Sequence, residues 1–131
     1  KPYLQEHYGT VSWSVRAVYA GLVGWFDGNP THLFPLSPVE RARRMAEMTG
    51  GQEALFKKAK AALSAKDYQW VCELADGVIA LDPKSSEAKL LKADALRALA
   101  EMQTSANARN YYFSVAKELQ EEVNPPVRKD Q

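Results

Sequence analysis

The chain has 131 residues, 46% of them hydrophobic and 25% charged. That suits one globular domain with a real core. Its formal net charge is +1, so no global field draws it to nucleic acid or to an anionic membrane. No apolar run reaches the ~20 residues that a membrane-spanning helix needs.

The chain opens on Lys1 with no signal-like segment, which reads as an excised or processed piece. Its first predicted element is an apolar helix, in which Arg16 is the only charge from Val15 to Phe26. Val11, Val15, Val18, Leu22 and Phe26 line one face, and Ala17 and Gly21, with Ala20 and Gly24 alongside, offer small residues that admit a second helix closely. A helix apolar all round must be covered all round. Glycine inside a helix costs ~1 kcal/mol against alanine, a loss that close packing would recover. Burying a ring the size of Trp13 or Trp25 is worth ~2–4 kcal/mol. Arg16 in such a helix calls for an acidic partner elsewhere in the fold, or for a bound anion or another chain.

Asp27-Gly28-Asn29-Pro30 is read as the stop of this helix, with Gly28 left-handed and Asn29 extended before proline. Thr31 to Leu36 is expected to run extended. Ser37-Pro38-Val39-Glu40 then reads as a capping box: Ser37 the N-cap, Pro38 the first helical residue, Glu40 the third. Gly50-Gly51 breaks the chain again.

Four stripes at steps of three and four follow. Leu55, Ala59, Ala62 and Leu63 form the first; Val71, Leu74, Val78 and Leu81 the second. Ala88, Leu91, Ala95, Leu99 and Met102 form the third; Tyr112, Val115, Ala116, Leu119 and Val123 the fourth. Ser85 and Ser105 are plausible caps for the last two helices. Cys72, the single cysteine, cannot form an internal disulfide and is expected in the core. No alternating run bounded by hairpin turns occurs, so the fold class is all-α, with about five to six helices. Ala93 follows Ala59 by 34 residues, a period that resembles a tetratricopeptide repeat of stacked helical hairpins over roughly residues 52–100. Val71 departs from that motif's preference for alanine.

Chemistry is hard to find in these residues. His7 and His32 sit in no metal-ligand spacing, and no HExxH, CxxC, GxSxG or phosphate loop occurs. Arg41, Arg43 and Arg44, with Lys57, Lys58 and Lys60, are interleaved with Glu40, Glu47 and Glu53, which reads as a solvated mixed face. Glu121-Glu122 reads as solvated surface too.

The string "YLQEHYGTVSWSVRAVYAGLVGWFDGNPTHLFPLSP" is distinctive. Tyr8-Gly9-Thr10, Trp13, Ser14-Val15-Arg16, Gly24 through Pro30 and Leu33-Phe34-Pro35-Leu36 resemble the opening of the dimerisation domain of alkylsulfatases, and the repeat region to about Leu119 fits the same domain. The resemblance implies a three-part parent that hydrolyses alkyl sulfate esters. An upstream metallo-β-lactamase domain would hold two zinc ions, and a sterol-carrier-like domain would follow. On that reading residues 1–123 are the helical domain and 124–131 the linker to a missing C-terminal domain. The fragment itself holds no catalytic residue, metal or cofactor, and the implied compartment is periplasmic or secreted. Its partner is a second copy of itself, through Trp13, Val15, Val18, Tyr19, Leu22, Trp25, Phe26 and Phe34. Tyr8, with Arg16 in support, is the candidate contact to substrate sulfate in the parent. The competing expectation is a free-standing tetratricopeptide-like adaptor, a monomer with its first helix enclosed and a polar groove for a peptide.

Overall fold

The structure, a computed structural model, describes residues 5–126. It contains α1 (Val11–Val23), α2 (Pro38–Thr49), α3 (Gln52–Ser64), α4 (Tyr68–Leu81), α5 (Ser86–Glu101) and α6 (Ala106–Val123), plus a 3-10 turn at Pro30–His32. No strand occurs among the described residues. The part of the expected linker beyond residue 126 lies outside them.

Local chemistry sets each boundary. Ser37 accepts from the Glu40 amide at 3.2 Å with Pro38 opening α2; Asp67 accepts from Trp70, Ser85 from Ala88 and Ser105 from Ala108. Each side-chain oxygen satisfies an amide that the first helical turn leaves without a partner. Gly50 (φ 97°) and Gly51 (φ 113°) take positive φ where α2 ends and α3 begins, a conformation that costs glycine little. Lys66 is the non-glycine residue at positive φ, in the tight turn that folds α3 back onto α4.

The helices stack as hairpins. α3 packs on α4, α4 on α5 and α5 on α6, while α2 lies across α3 and α4. The 34-residue step is present: α5 starts at Ser86, α3 at Gln52, and both Ala59 and Ala93 are fully buried. α4 is central and buries Val71, Cys72, Leu74, Ala75, Gly77 and Val78. Cys72 is therefore the core residue its neighbours implied, and burial pushes its thiol up to about 11.

Gly77 is the glycine that permits a close helix approach. A Cβ there would sit 3.4 Å from Leu55 Cδ2 and 4.0 Å from Ala42 Cβ. The small residues of α1 do not serve that purpose inside this chain. A Cβ on Gly21 would meet nothing within 4 Å, and Gly24 is not an interior residue at all. At φ 88° it closes α1, its amide donating to the Ala20 carbonyl. The first helix therefore runs Val11–Val23 and ends before Phe26, which was expected on its face. Thr10, an N-cap the apolar pattern did not reveal, accepts from Trp13 N–H and starts it early. Trp25 and Phe26 lie past its end, and only one glycine is interior. Thr31 and His32 are in the 3-10 turn, whose first amide is capped by the Asn29 side chain at 3.1 Å, so the expected extended run is shorter.

Polar contacts tie the hairpins at their rims. Lys92 meets Asp76 at 2.5 Å between α5 and α4, and Lys89 meets Glu122 at 2.7 Å between α5 and α6. Arg43 pairs with Glu40 and Glu47, and Arg44 with Glu40. The basic middle is thus a mixed-charge face. Arg43 first, then Arg44, holds the Glu40 carboxyl down at about 2. Met102 ends the third stripe exposed.

Candidate interaction surface

α1 stands apart from the stack. No helix packs along it among the described residues, and none of its residues is buried. The apolar side chains that the sequence assigns to an interface are therefore outward. Leu22 is 82% exposed, Trp25 73% and Phe34 92%, with Trp13, Val15, Val18 and Tyr19 also exposed. Val15, Val18, Tyr19, Leu22 and Val23 line a shallow groove on α1 that is almost wholly apolar. Phe26 is half-buried, edge-on to Trp25 at 5.8 Å between ring centres.

Three hydrogen bonds hold the start of this arm. The Ala106 amide donates to the His7 carbonyl at 2.7 Å and the Asn107 amide to the Tyr8 carbonyl at 3.3 Å. The Ser105 hydroxyl donates to the same Tyr8 carbonyl at 2.7 Å. Trp13 adds an edge contact on Tyr111, with ring centres 6.2 Å apart. Tyr8 is tethered by its backbone while its side chain faces outward.

Arg16 is exposed and forms no ion pair among the described residues. The expected acidic partner within the fold is absent there because the premise fails. A guanidinium in water needs no counter-charge.

The strap from Gly24 to α2 is ordered by its own side chains. Asp27 accepts the Asn29 amide at 3.0 Å through one oxygen and contacts His32 Nδ1 at 2.6 Å through the other. The Asn29 amide first, then His32, lowers the Asp27 carboxyl below its ordinary value. Aspartate followed by histidine five residues later carries no spacing signal, so this pair was not legible in the sequence.

Among the described residues no three of His, Cys, Asp and Glu gather as a metal-binding group. No helix is long and apolar enough to cross a membrane. What the arrangement offers is apolar area for another protein surface.

The family model for alkyl sulfatase dimerisation matches residues 1–122. The chain belongs to that family. It is 39% identical over 123 residues to an (R)-specific secondary-alkylsulfatase of Pseudomonas sp., which takes in 94% of this chain and 19% of that one. A linear primary-alkylsulfatase of Pseudomonas sp. (strain ATCC 19151) is 39% identical over 96% of this chain and 24% of its own length. An alkyl/aryl-sulfatase of Saccharomyces cerevisiae is 36% identical over 89% of the chain. Among solved structures, the stereoselective inverting sec-alkylsulfatase Pisa1 from Pseudomonas sp. superposes with a TM-score of 0.84 at 38% identity, over 95% of this chain and 19% of its own. This alkyl sulfatase dimerisation chain thus spans between 19% and 24% of the length of these Pseudomonas relatives.

Proposed function

We propose that the chain is the helical pairing module of a zinc-dependent alkylsulfatase, and that α1 and the strap behind it lie against protein outside the chain. The observation that carries this reading is a thirteen-residue helix with an apolar face and no buried residue. Apolar area is stabilised by ~25 cal/mol per Å² when removed from water, so a surface this oily gains most by being covered. Family membership supports self-association as the arrangement. The adaptor alternative required an enclosed first helix, and α1 is open on all sides.

On this reading the catalytic zinc ions belong to an upstream metallo-β-lactamase domain, and a sterol-carrier-like domain follows. This module contributes subunit pairing and one edge of the substrate site. The exposed Tyr8 hydroxyl donates to a sulfate oxygen, and Arg16, with no counter-charge of its own, adds positive potential to the same region. The names of the relatives, all alkylsulfatases or alkyl/aryl-sulfatases, support an alkyl sulfate as substrate.

The test is the mass of the full-length enzyme carrying Val18→Asp and Leu22→Asp, measured by light scattering after size-exclusion chromatography. Two buried carboxylates per subunit make pairing unfavourable, so the expected product is a folded single subunit. An unchanged dimer with unchanged activity removes α1 from the interface.

A further inference from the structure

Ser105 stands out as the buried polar residue among those described, 3% exposed. A hydroxyl has one proton to give and two lone pairs to receive with. Here the proton goes to the Tyr8 carbonyl at 2.7 Å, and a lone pair takes the Ala108 amide at 3.4 Å. The next two amides of α6, on Ala106 and Asn107, are first-turn donors with no intrahelical acceptor, and they turn to the His7 and Tyr8 carbonyls. The positive end of the α6 dipole favours those oxygens further.

Tyr8 lies in irregular chain before α1, its side chain 78% exposed. No packing holds that side chain, so what the fold fixes is the place and direction of the Tyr8 Cα–Cβ bond, from which the phenol samples its rotamers. The backbone in turn is set by two donors converging on one carbonyl oxygen. We infer that Ser105 is a positioning residue: with the first turn of α6 it fixes the Tyr8 backbone and so keeps the phenol within reach of the substrate. This rests on the reading that Tyr8 meets the sulfate, and Ser105 acts only through Tyr8 and the segment around it.

The experiment is steady-state kinetics of the full-length enzyme on an alkyl sulfate such as dodecyl sulfate, comparing Ser105→Gly, Ser105→Thr and Tyr8→Phe. Glycine at an N-cap costs only a few tenths of a kcal/mol against serine, so the glycine variant removes the hydroxyl's bond to the Tyr8 carbonyl while keeping α6 and the fold, checked by thermal melting. The expected result is KM raised about tenfold with kcat within about twofold, the pattern of a lost binding contact. Threonine, which keeps the hydroxyl, restores KM. A purely structural cap would lower the melting temperature and leave the KM of the folded enzyme unchanged.

The outcomes separate the two claims. If Tyr8→Phe impairs turnover and Ser105→Gly does not, the positioning role is overturned alone. If Ser105→Gly raises KM and Tyr8→Phe has no effect, the sulfate contact by the phenol falls. The positioning role falls with it, because the phenol is what Ser105 is inferred to place. If neither variant changes the kinetics, both claims are wrong.

Discussion

The stack and the arm invert each other's composition. Eleven of the seventeen buried apolar residues are alanine, which lets α2 to α6 approach one another closely. The large apolar side chains that usually fill a core, among them Trp13, Trp25, Leu22 and Phe34, are outside. Small residues thus hold the module together internally, and large ones are kept for what lies beyond it. The difference teaches that hydrophobic content alone does not locate a core: packing along a neighbouring helix decides it, and α1, which touches α6 through Trp13, has none among the described residues.

The contrast is most sharply broken by truncating one leucine in each region. Leu74→Ala, at a fully enclosed site in α4, is expected to cost about 2–5 kcal/mol in urea unfolding of the isolated chain. Leu22→Ala in α1 is expected within about 0.5 kcal/mol of the parent sequence. Equal losses would mean that α1 is covered in solution. A smaller effect comes from crowding the close helix approach: Gly77→Val forces a shift of Leu55 and is expected to cost about 1–3 kcal/mol, whereas Gly21→Val, in open space, leaves the melting temperature nearly unchanged.

Charge sharpens the same comparison more gently. Burial raises the Cys72 thiol from 9.0 to about 11, so folding favours the neutral form. That contribution is complete below pH 9 and lost as pH rises through about 11. Alkylation by iodoacetamide at pH 8 should accordingly be slow in the native chain and fast in urea. On the exposed face the sign is opposite. Glu40 is lowered from 4.5 to about 2, so its pairing with Arg43 and Arg44 persists above pH 4.5 and is lost as pH falls through about 2. Carboxyl chemical shifts would show that low midpoint, and Arg43→Gln with Arg44→Gln should return it towards 4.5. The smallest effect is in the strap, where Asp27 also titrates low. Asn29→Pro, which removes the amide that does most of the lowering, should raise the Asp27 midpoint in the same spectra.

Much of the stack was legible because its determinants are local. Ser37, Ser85 and Ser105 announce their helices, and Ala59 and Ala93 carry the repeat. The arm's limits were not. Leu22 and Phe26 continue the apolar spacing straight through Gly24, and only backbone conformation reveals that the helix stops there. Gly77 carried no signal in the sequence, since its nearness to Leu55 and Ala42 is a property of three helices together. The tether between Tyr8 and Ser105 joins positions 97 apart through a main-chain oxygen, and no side-chain pattern encodes that. Of the proposed surface, the residue types and their outward direction were readable from an apolar helix with too little cover, and the end of that helix was not.

The tether has a mechanical consequence. α1 is bound covalently through the strap to α2, the opening helix of the stack, and by hydrogen bonds to α6, the closing one. The segment that carries α1 is therefore held at two places, the start of α6 and the start of α2. Pulling α1 away from the stack would have to break the hydrogen bonds at the start of α6 before the strap alone held it.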